Sequence, residues 1–389
     1  MDAPSSDALF TRRFWLACAV HFCGGMGISF YILFPLFVRH LGGTEVTIGL
    51  YAGLTGAAAV LARIPVGRFL DTLGRRRVLL SAGFLHVAAW LGFLAFKSIS
   101  VGSAALVVAY GLAAGSLFAT YFTYASDIIP LTRRSEGFAM FGIWGMLPNG
   151  LGPWIGEKLI AHAGFQAYFL VAASFALLSL GLSVFLPETA HRGGGPAGTV
   201  EGDATFRSRE LLVLLGGAFT FGLAVESVFV FLAPFSYAFG HGSVGFFFMT
   251  YACTAAAIRV VSGRLPDRLG LRRVLIPALL VYSVGVAAIP YGDRPLWAAL
   301  AVLCGAAHGY AFPILNALVV AQVPGTYRGR AVSWLTAMFD LGHTIGNPVL
   351  GVVAHALSYR AMYRASGTVL LVTTILLWWQ RPKPDVGRP

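Results

Sequence analysis

The sequence predicts an all-α polytopic membrane protein, with twelve transmembrane helices in two six-helix halves around a central cavity. Three observations carry this. Of the 389 residues, 57% are hydrophobic and 11% charged, against roughly 25% charged in a soluble domain; the mean hydropathy is +0.75. Too few polar residues remain to cover a water-exposed surface. Apolar runs of about 20 residues, enough to cross a hydrocarbon core of about 30 Å, recur along the whole chain. A segment beginning at Ala62 returns at Ile258.

The first apolar run, 14–38, follows Arg12 and Arg13, exceeds the ~7–15 residues of a signal-peptide core and lacks a small-residue cleavage site. It is therefore read as the first span. Runs at 46–66, 78–97, 102–126, 137–161 and 165–187 complete an N-terminal half over residues 1–190. From His191 to Arg209 the chain turns polar and contains GGGPAGTVEGD, which reads as a flexible cytoplasmic linker. Runs at 210–239, 243–262, 274–291, 295–321, 331–357 and 361–380 form the C-terminal half, 210–389. With both termini in the cytoplasm, 20 of the 28 basic residues lie inside and six outside, with Arg63 and Arg259 inside helices. This bias sets the orientation.

Other classes fit poorly. The net charge of +12 comes from arginines scattered over short loops, so no nucleic-acid face is expected. Cys18, Cys23, Cys253 and Cys304 all fall within spans, where thiols pack as small apolar groups; neither a disulfide framework nor a metal site is expected. No P-loop is present, which argues against ATP coupling and against an enzyme. The expected partners are lipid and a small-molecule substrate, with no cofactor and a monomeric chain.

ARIPVGRFLDTLGRRRVL from Ala62 aligns with IRVVSGRLPDRLGLRRVL from Ile258 at an offset of 196, with ten of eighteen positions identical. A second pairing sets Pro153 in NGLGPWIG against Pro348 in HTIGNPVLG at an offset of 195. Parallel repeats of this kind place a cavity between two homologous halves. The run Gly67-x-x-x-Asp71-x-x-Gly74-Arg75-Arg76 resembles the signature loop of the major facilitator superfamily, and Gly263, Asp267 and Gly270 belong to its second copy. The chain departs from that pattern at Thr72, Pro266 and Leu271. Within the superfamily it is most similar to bacterial drug and sugar efflux permeases of the proton-antiporter type, which implies a bacterial inner membrane. The fourth helix, GLAAGSLFATYFTYASD, lacks the buried arginine that many of those antiporters carry, so a mechanism relying on that arginine does not transfer.

The resemblance implies a latch at the inner ends of the helices. In it, Asp71 meets a helix N-terminus of the other half, where the macrodipole favours negative charge, and Arg75 and Arg76 reach Asp127. Gly74 suits a turn of positive φ. Glu226 and Asp340 are the two carboxylates well inside predicted spans. A charge at mid-bilayer costs about 2.5–3.5 kcal/mol on insertion scales, so each is expected to face the cavity or a partner. Asp340 and His343 share a helix face and form, with Glu226, the expected proton-coupling set. An ion pair with Arg63 or Arg259 is the structural alternative. The superfamily architecture puts the first, fourth, seventh and tenth helices around the cavity. Polar candidates for its lining are His21, Thr120, Tyr121, Tyr124, Asn149, His308 and Asn316, with Phe30, Tyr51, Phe229 and Phe312 as aromatic ones. The expected function is secondary transport by alternating access, with protons as coupling ion and export of a small amphipathic molecule. Proton-coupled uptake of a sugar or organic acid, or a non-transporting membrane sensor, are the alternatives.

Overall fold

The computed structural model describes residues 8–189, 208–263, 265–323 and 327–380. Twelve spans follow one another, with no strand among the described residues: α1 (Arg12–His40), α2 (Glu45–Thr72), α3 (Arg75–Phe93) and α4 (Val101–Ile128). Next, α5 runs from Arg134 through Met146 and on from Pro148, until Gly164 at φ 73° breaks the helix and residues 165–183 continue as α6. The second half holds α7 (Arg209–Phe239), α8 (Val244–Val261), α9 (Leu271–Ala288), α10 (Arg294–Ala321), α11 (Arg328–Ala356) and α12 (Tyr359–Trp379). The expected linker lies outside the described residues up to 207; Ser208 already caps α7, and Arg209 begins it.

By length and apolarity alone, nine stretches of the described residues qualify as spans. One of them, Glu136–Ser183, contains both α5 and α6. Three leading arginines lower the hydropathy of α3, and Arg328, Arg330, Asp340 and two histidines lower that of α11. Helix starts follow their chemistry: Thr11, Thr44, Ser100, Ser208, Ser243, Asp293 and Ser358 each accept a hydrogen bond from a first-turn backbone N–H, satisfying a donor that the helix leaves orphaned. Ahead of Pro35, which supplies no N–H, α1 tightens into a 3-10 turn over Tyr31–Leu33.

The repeat survives as packing. Thr55 and Ala59 of α2 press on Gly111 and Gly115 of α4; Tyr251 and Ala255 of α8, 196 residues on from Thr55 and Ala59, press likewise on Gly305 and Gly309 of α10. Gly74 and Gly270 hold the same positive φ, 96° and 98°. Arg76 donates to the carbonyl of Val184 at 2.6 Å and Arg272 to that of Gln380 at 2.7 Å, and both partners are again 196 apart. The two halves meet through α2 on α11 and α5 on α8, pairs that the repeat relates to each other.

The bundle has a basic end, where α1 begins and α12 finishes, and a far end. Close approaches between halves concentrate toward the far end. A Cβ on Gly49 would fall 2.4 Å from the Asn347 carbonyl oxygen, and one on Gly245 2.5 Å from the Trp154 Cα, so only glycine permits these backbones to touch.

Candidate functional site

Between the halves lies a cavity of about 250 Å³, bounded by α1, α2, α4 and α5 on one side and α7 and α11 on the other. Its first-half wall is aromatic. Tyr31, freed from regular helix by the 3-10 turn, stacks on Phe34 with centroids 4.6 Å apart and on Tyr110 at 4.2 Å. Its hydroxyl is 2.8 Å from Thr55 Oγ1, and Thr55 donates to the Tyr51 carbonyl one turn earlier at 2.9 Å.

The opposite wall carries the charge. Glu226 projects from α7 and accepts a hydrogen bond from Asn347 Nδ2 at 3.1 Å, while His343 Nδ1 stands 3.5 Å from its other oxygen. His343 and Asn347 are one turn apart on α11 and both line the cavity. Asp340 is engaged elsewhere: it is ion-paired with Arg63 of α2, across the boundary between the halves. The expected coupling of Asp340 to His343 therefore gives way to two separate pairs. A shared helix face brings residues to one side of α11, but α7 and α2 flank that side and each captures one of them. The alternative of a partner at Arg63 describes Asp340, whereas Arg259 makes no ion pair with a described residue.

Of the polar lining candidates, only Asn149 borders this cavity. His21 is buried within the first half, stacked on Phe141 at 4.4 Å. Thr120 returns its hydroxyl to the Ser116 carbonyl, Tyr121 lies 3.3 Å from Ser179 Oγ, and Tyr124 donates to the Pro187 carbonyl at 3.0 Å. In the second half, His308 pairs with Tyr251, whose hydroxyl is 3.3 Å from that of Tyr282, while Asn316 is half-buried on α10 away from the cavity. Thr120, Tyr121, Tyr124 and His308 sit on the expected helices but face neighbours in their own half, where these buried polar groups find partners. Tyr51 and Phe229 line the cavity; Phe30 is buried behind it and Phe312 packs on Phe339 at 5.1 Å. Tyr31, Thr55 and Asn347 escaped sequence reasoning. Asn347 had a signal: it is an amide in an apolar span directly before Pro348.

At the basic end, Arg75 Nε donates to Asp127 at 2.9 Å and its Nη1 lies 3.3 Å from Asp71. Arg76 turns from Asp127 toward Val184, while the Arg75 and Arg76 backbone N–H groups donate to Glu188 at 2.8 and 3.1 Å. Glu188 thus caps α3, and a Cβ on Gly74 would meet its carboxylate at 2.4 Å. Asp71 is 70% exposed and, among the described residues, pairs with Arg75 rather than with a helix N-terminus of the other half, contrary to expectation. Asp267 is also exposed, and open space surrounds the position a Cβ would take at Gly67. A Cβ at Gly263 would meet its own helix at the Arg259 carbonyl.

The far end holds contacts that the sequence did not announce. Glu157 of α5 accepts from the backbone N–H groups of Val244 and Gly245, both at 2.9 Å, and from the Ser243 hydroxyl. Glu45 of α2 lies 3.4 Å from Arg39, 3.2 Å from His355 Nδ1 and 3.2 Å from the Tyr359 hydroxyl. Each carboxylate ties one half to the other.

A cavity at the boundary of two repeated six-helix halves is the arrangement of an alternating-access transporter, and comparisons with known proteins agree. The staphylopine export protein of Staphylococcus aureus is 22% identical, the match covering 91% of this chain and 92% of that protein. The enterobactin exporter EntS of Escherichia coli is 25% identical, covering 96% of this chain and 91% of its own. A crystal structure of a variant of the nucleoside transporter NupG superposes with a TM-score of 0.82 at 14% identity, over 94% of this chain and 99% of that one. Since the sequence profile described as Major Facilitator Superfamily matches residues 14–242 and 214–389, the chain belongs to that superfamily and is an integral membrane protein of the secondary-transporter class.

Proposed function

We propose that this protein exports a small amphipathic molecule from the cytoplasm in exchange for protons, working as a single chain in a bacterial inner membrane. The basic end faces the cytoplasm in this reading, as the positive-inside bias favours. The far-end contacts then belong to a state closed to the outside, from which substrate would load. Export is supported by the printed functions of the staphylopine and enterobactin proteins.

The observation that carries the reading is Glu226. It is the one carboxylate among the described residues lining the cavity, and it lies between the halves, where access switches from one side to the other. A proton taken from outside and released inside at that group, alternating with substrate, gives exchange. Purified protein in liposomes under an imposed pH gradient tests this. Glu226→Gln should abolish gradient-driven accumulation and retain counterflow, because rocking itself moves no net proton. Unaltered gradient-driven transport in Glu226→Gln removes the assignment, and the direction of flux against the gradient decides between export and uptake.

A further inference from the structure

We propose that the central cavity recognises a protonated amine carried on a small, flat apolar body. This rests on the reading above only in taking the cavity as the transport site.

The second-half wall carries Glu226, His343 and Asn347; with the His343 Nδ1–H turned to Glu226, the buried Nε2 of the neutral ring, without a partner among the described residues, is one more acceptor. Asn347 is 1% exposed. Because its neighbour Glu226 is a carboxylate, the amide must present Nδ2 to it, which fixes the orientation; Oδ1 is left buried with no hydrogen-bond partner among the described residues. A buried acceptor without a partner is costly, and a ligand donor would satisfy it. The Glu226 carboxylate and this amide oxygen together offer acceptors from adjacent helices. No lysine or arginine is among the described lining residues. A group with several N–H donors and a positive charge matches the set, whereas a carboxylate or phosphate would meet like charge and an unpaired acceptor.

The first-half wall selects the rest of the molecule. Tyr31 is held between the near-parallel rings of Phe34 and Tyr110, which leaves its edge for the cavity, and Phe229 adds another ring from the charged side. Such rings hold flat apolar groups in edge-to-face contact. The volume of about 250 Å³ falls below the ~300–1,000 Å³ of drug-sized pockets, so the body is of one or two rings.

The test is binding, measured apart from transport, by calorimetry on the full chain in lipid nanodiscs. The probes are phenethylamine, tryptamine and 2-naphthylethylamine, each with its N-acetyl counterpart, and the matching arylpropionates. At least one amine should bind, with its N-acetyl form roughly tenfold weaker or more, the factor for losing a charge-assisted hydrogen bond, and the acids should not bind. In Glu226→Gln the amine should fall to the affinity of its amide, and Asn347→Ser should weaken the amine more than the amide. The proposal is overturned if no amine binds, if amide or acid binds as tightly as the amine, or if the preference persists in a correctly eluting Glu226→Gln protein. Should a variant fail to fold, wild-type selectivity alone decides. Amine selectivity without proton-driven export would leave this inference standing and sink the exporter reading; the opposite pattern would do the reverse.

Discussion

Arg63 of α2 and Asp340 of α11 form an ion pair that joins the two halves, and the repeat does not reproduce it. The mate of Arg63 is Arg259, but the position matching Asp340 at the 195 offset is Gly145, so α5 offers no acid at that position. With side-chain exposures of 30% and 14%, the pair is partly shielded, and stranding one charge costs more than removing both. Arg63→Gln and Asp340→Asn should each lower the melting temperature in detergent, and the double variant should lose less than their sum. A double-mutant cycle should give a coupling of ~0.5–3 kcal/mol. A coupling indistinguishable from zero would make the pair incidental.

Because Asp340 is occupied by Arg63 while Glu226 faces the cavity, the two acids should separate functionally. The Arg63→Gln/Asp340→Asn protein should retain a pH-gradient response that Glu226→Gln loses. Flux measured against internal pH in the same liposome preparation checks this. Loss of the response in the paired variant together with its survival in Glu226→Gln would move the proton site to α11.

The signature loop should show a division of labour. Arg75 links α3 to Asp127 and to α2 within one half, so Arg75→Gln should lower both thermal stability and transport. Asp71 is 70% exposed, and among the described residues its carboxylate pairs with Arg75 alone, so Asp71→Asn should leave melting unchanged. If it closes the basic end in the opposite conformation, transport should still fall, and by more than in Asp267→Asn. Equal transport in the two aspartate variants and wild type would reduce the loop to a topology signal.

All twelve spans were legible because apolar runs of about 20 residues recur along the chain, even where the arginines of α3 and the charged residues of α11 lower their hydropathy. The α5–α6 boundary, read between the runs 137–161 and 165–187, falls at Gly164, whose positive φ breaks the helix. Facing was another matter. His21, Tyr121 and His308 are polar residues in cavity-forming helices, yet they pack within their own halves, His21 stacked on Phe141 and the other two hydrogen-bonded to Ser179 and Tyr251. Helical periodicity gives a face but leaves open which neighbour occupies it. The partners of Asp340 and His343 were hidden for the same reason, since they depend on where α2 and α7 pass. The far-end carboxylates Glu45 and Glu157 sit at span ends, where a charge is ordinary and draws no notice.

Orientation is tested by labelling with an impermeant thiol reagent in intact cells. Tyr237 is 79% exposed at the far end and serves as the reporter there. The native Cys253 is exposed and must be removed first. A cysteine at Tyr237 should label from outside and one at Thr72 only after the membrane is opened. The reverse pattern would invert the reading of the basic end.

Glu157 ties the two halves together at the far end, and its loss should bias the molecule toward opening there. The carboxylate binds two backbone N–H groups at the start of a helix in the other half, where charge and hydrogen bonding act together. The α8 N-terminus has its own cap, because Ser243 accepts from the Phe246 N–H at 3.0 Å; α8 should therefore stay folded when Glu157 is replaced. Glu157→Ala removes every contact, at about 1–2 kcal/mol, equivalent to a roughly five- to thirtyfold shift in a two-state population. Glu157→Gln keeps one acceptor and should shift it less. Spin labels at the exposed His162 and Tyr237, one in each half, should report the change as growth of a longer-distance population, larger in Glu157→Ala than in Glu157→Gln. Because export requires both ends to open in turn, Glu157→Ala should also slow loading from the basic end while leaving counterflow measurable. Identical distance distributions in wild type and Glu157→Ala would show that the α2–α11 and α5–α8 glycine contacts close the far end without it.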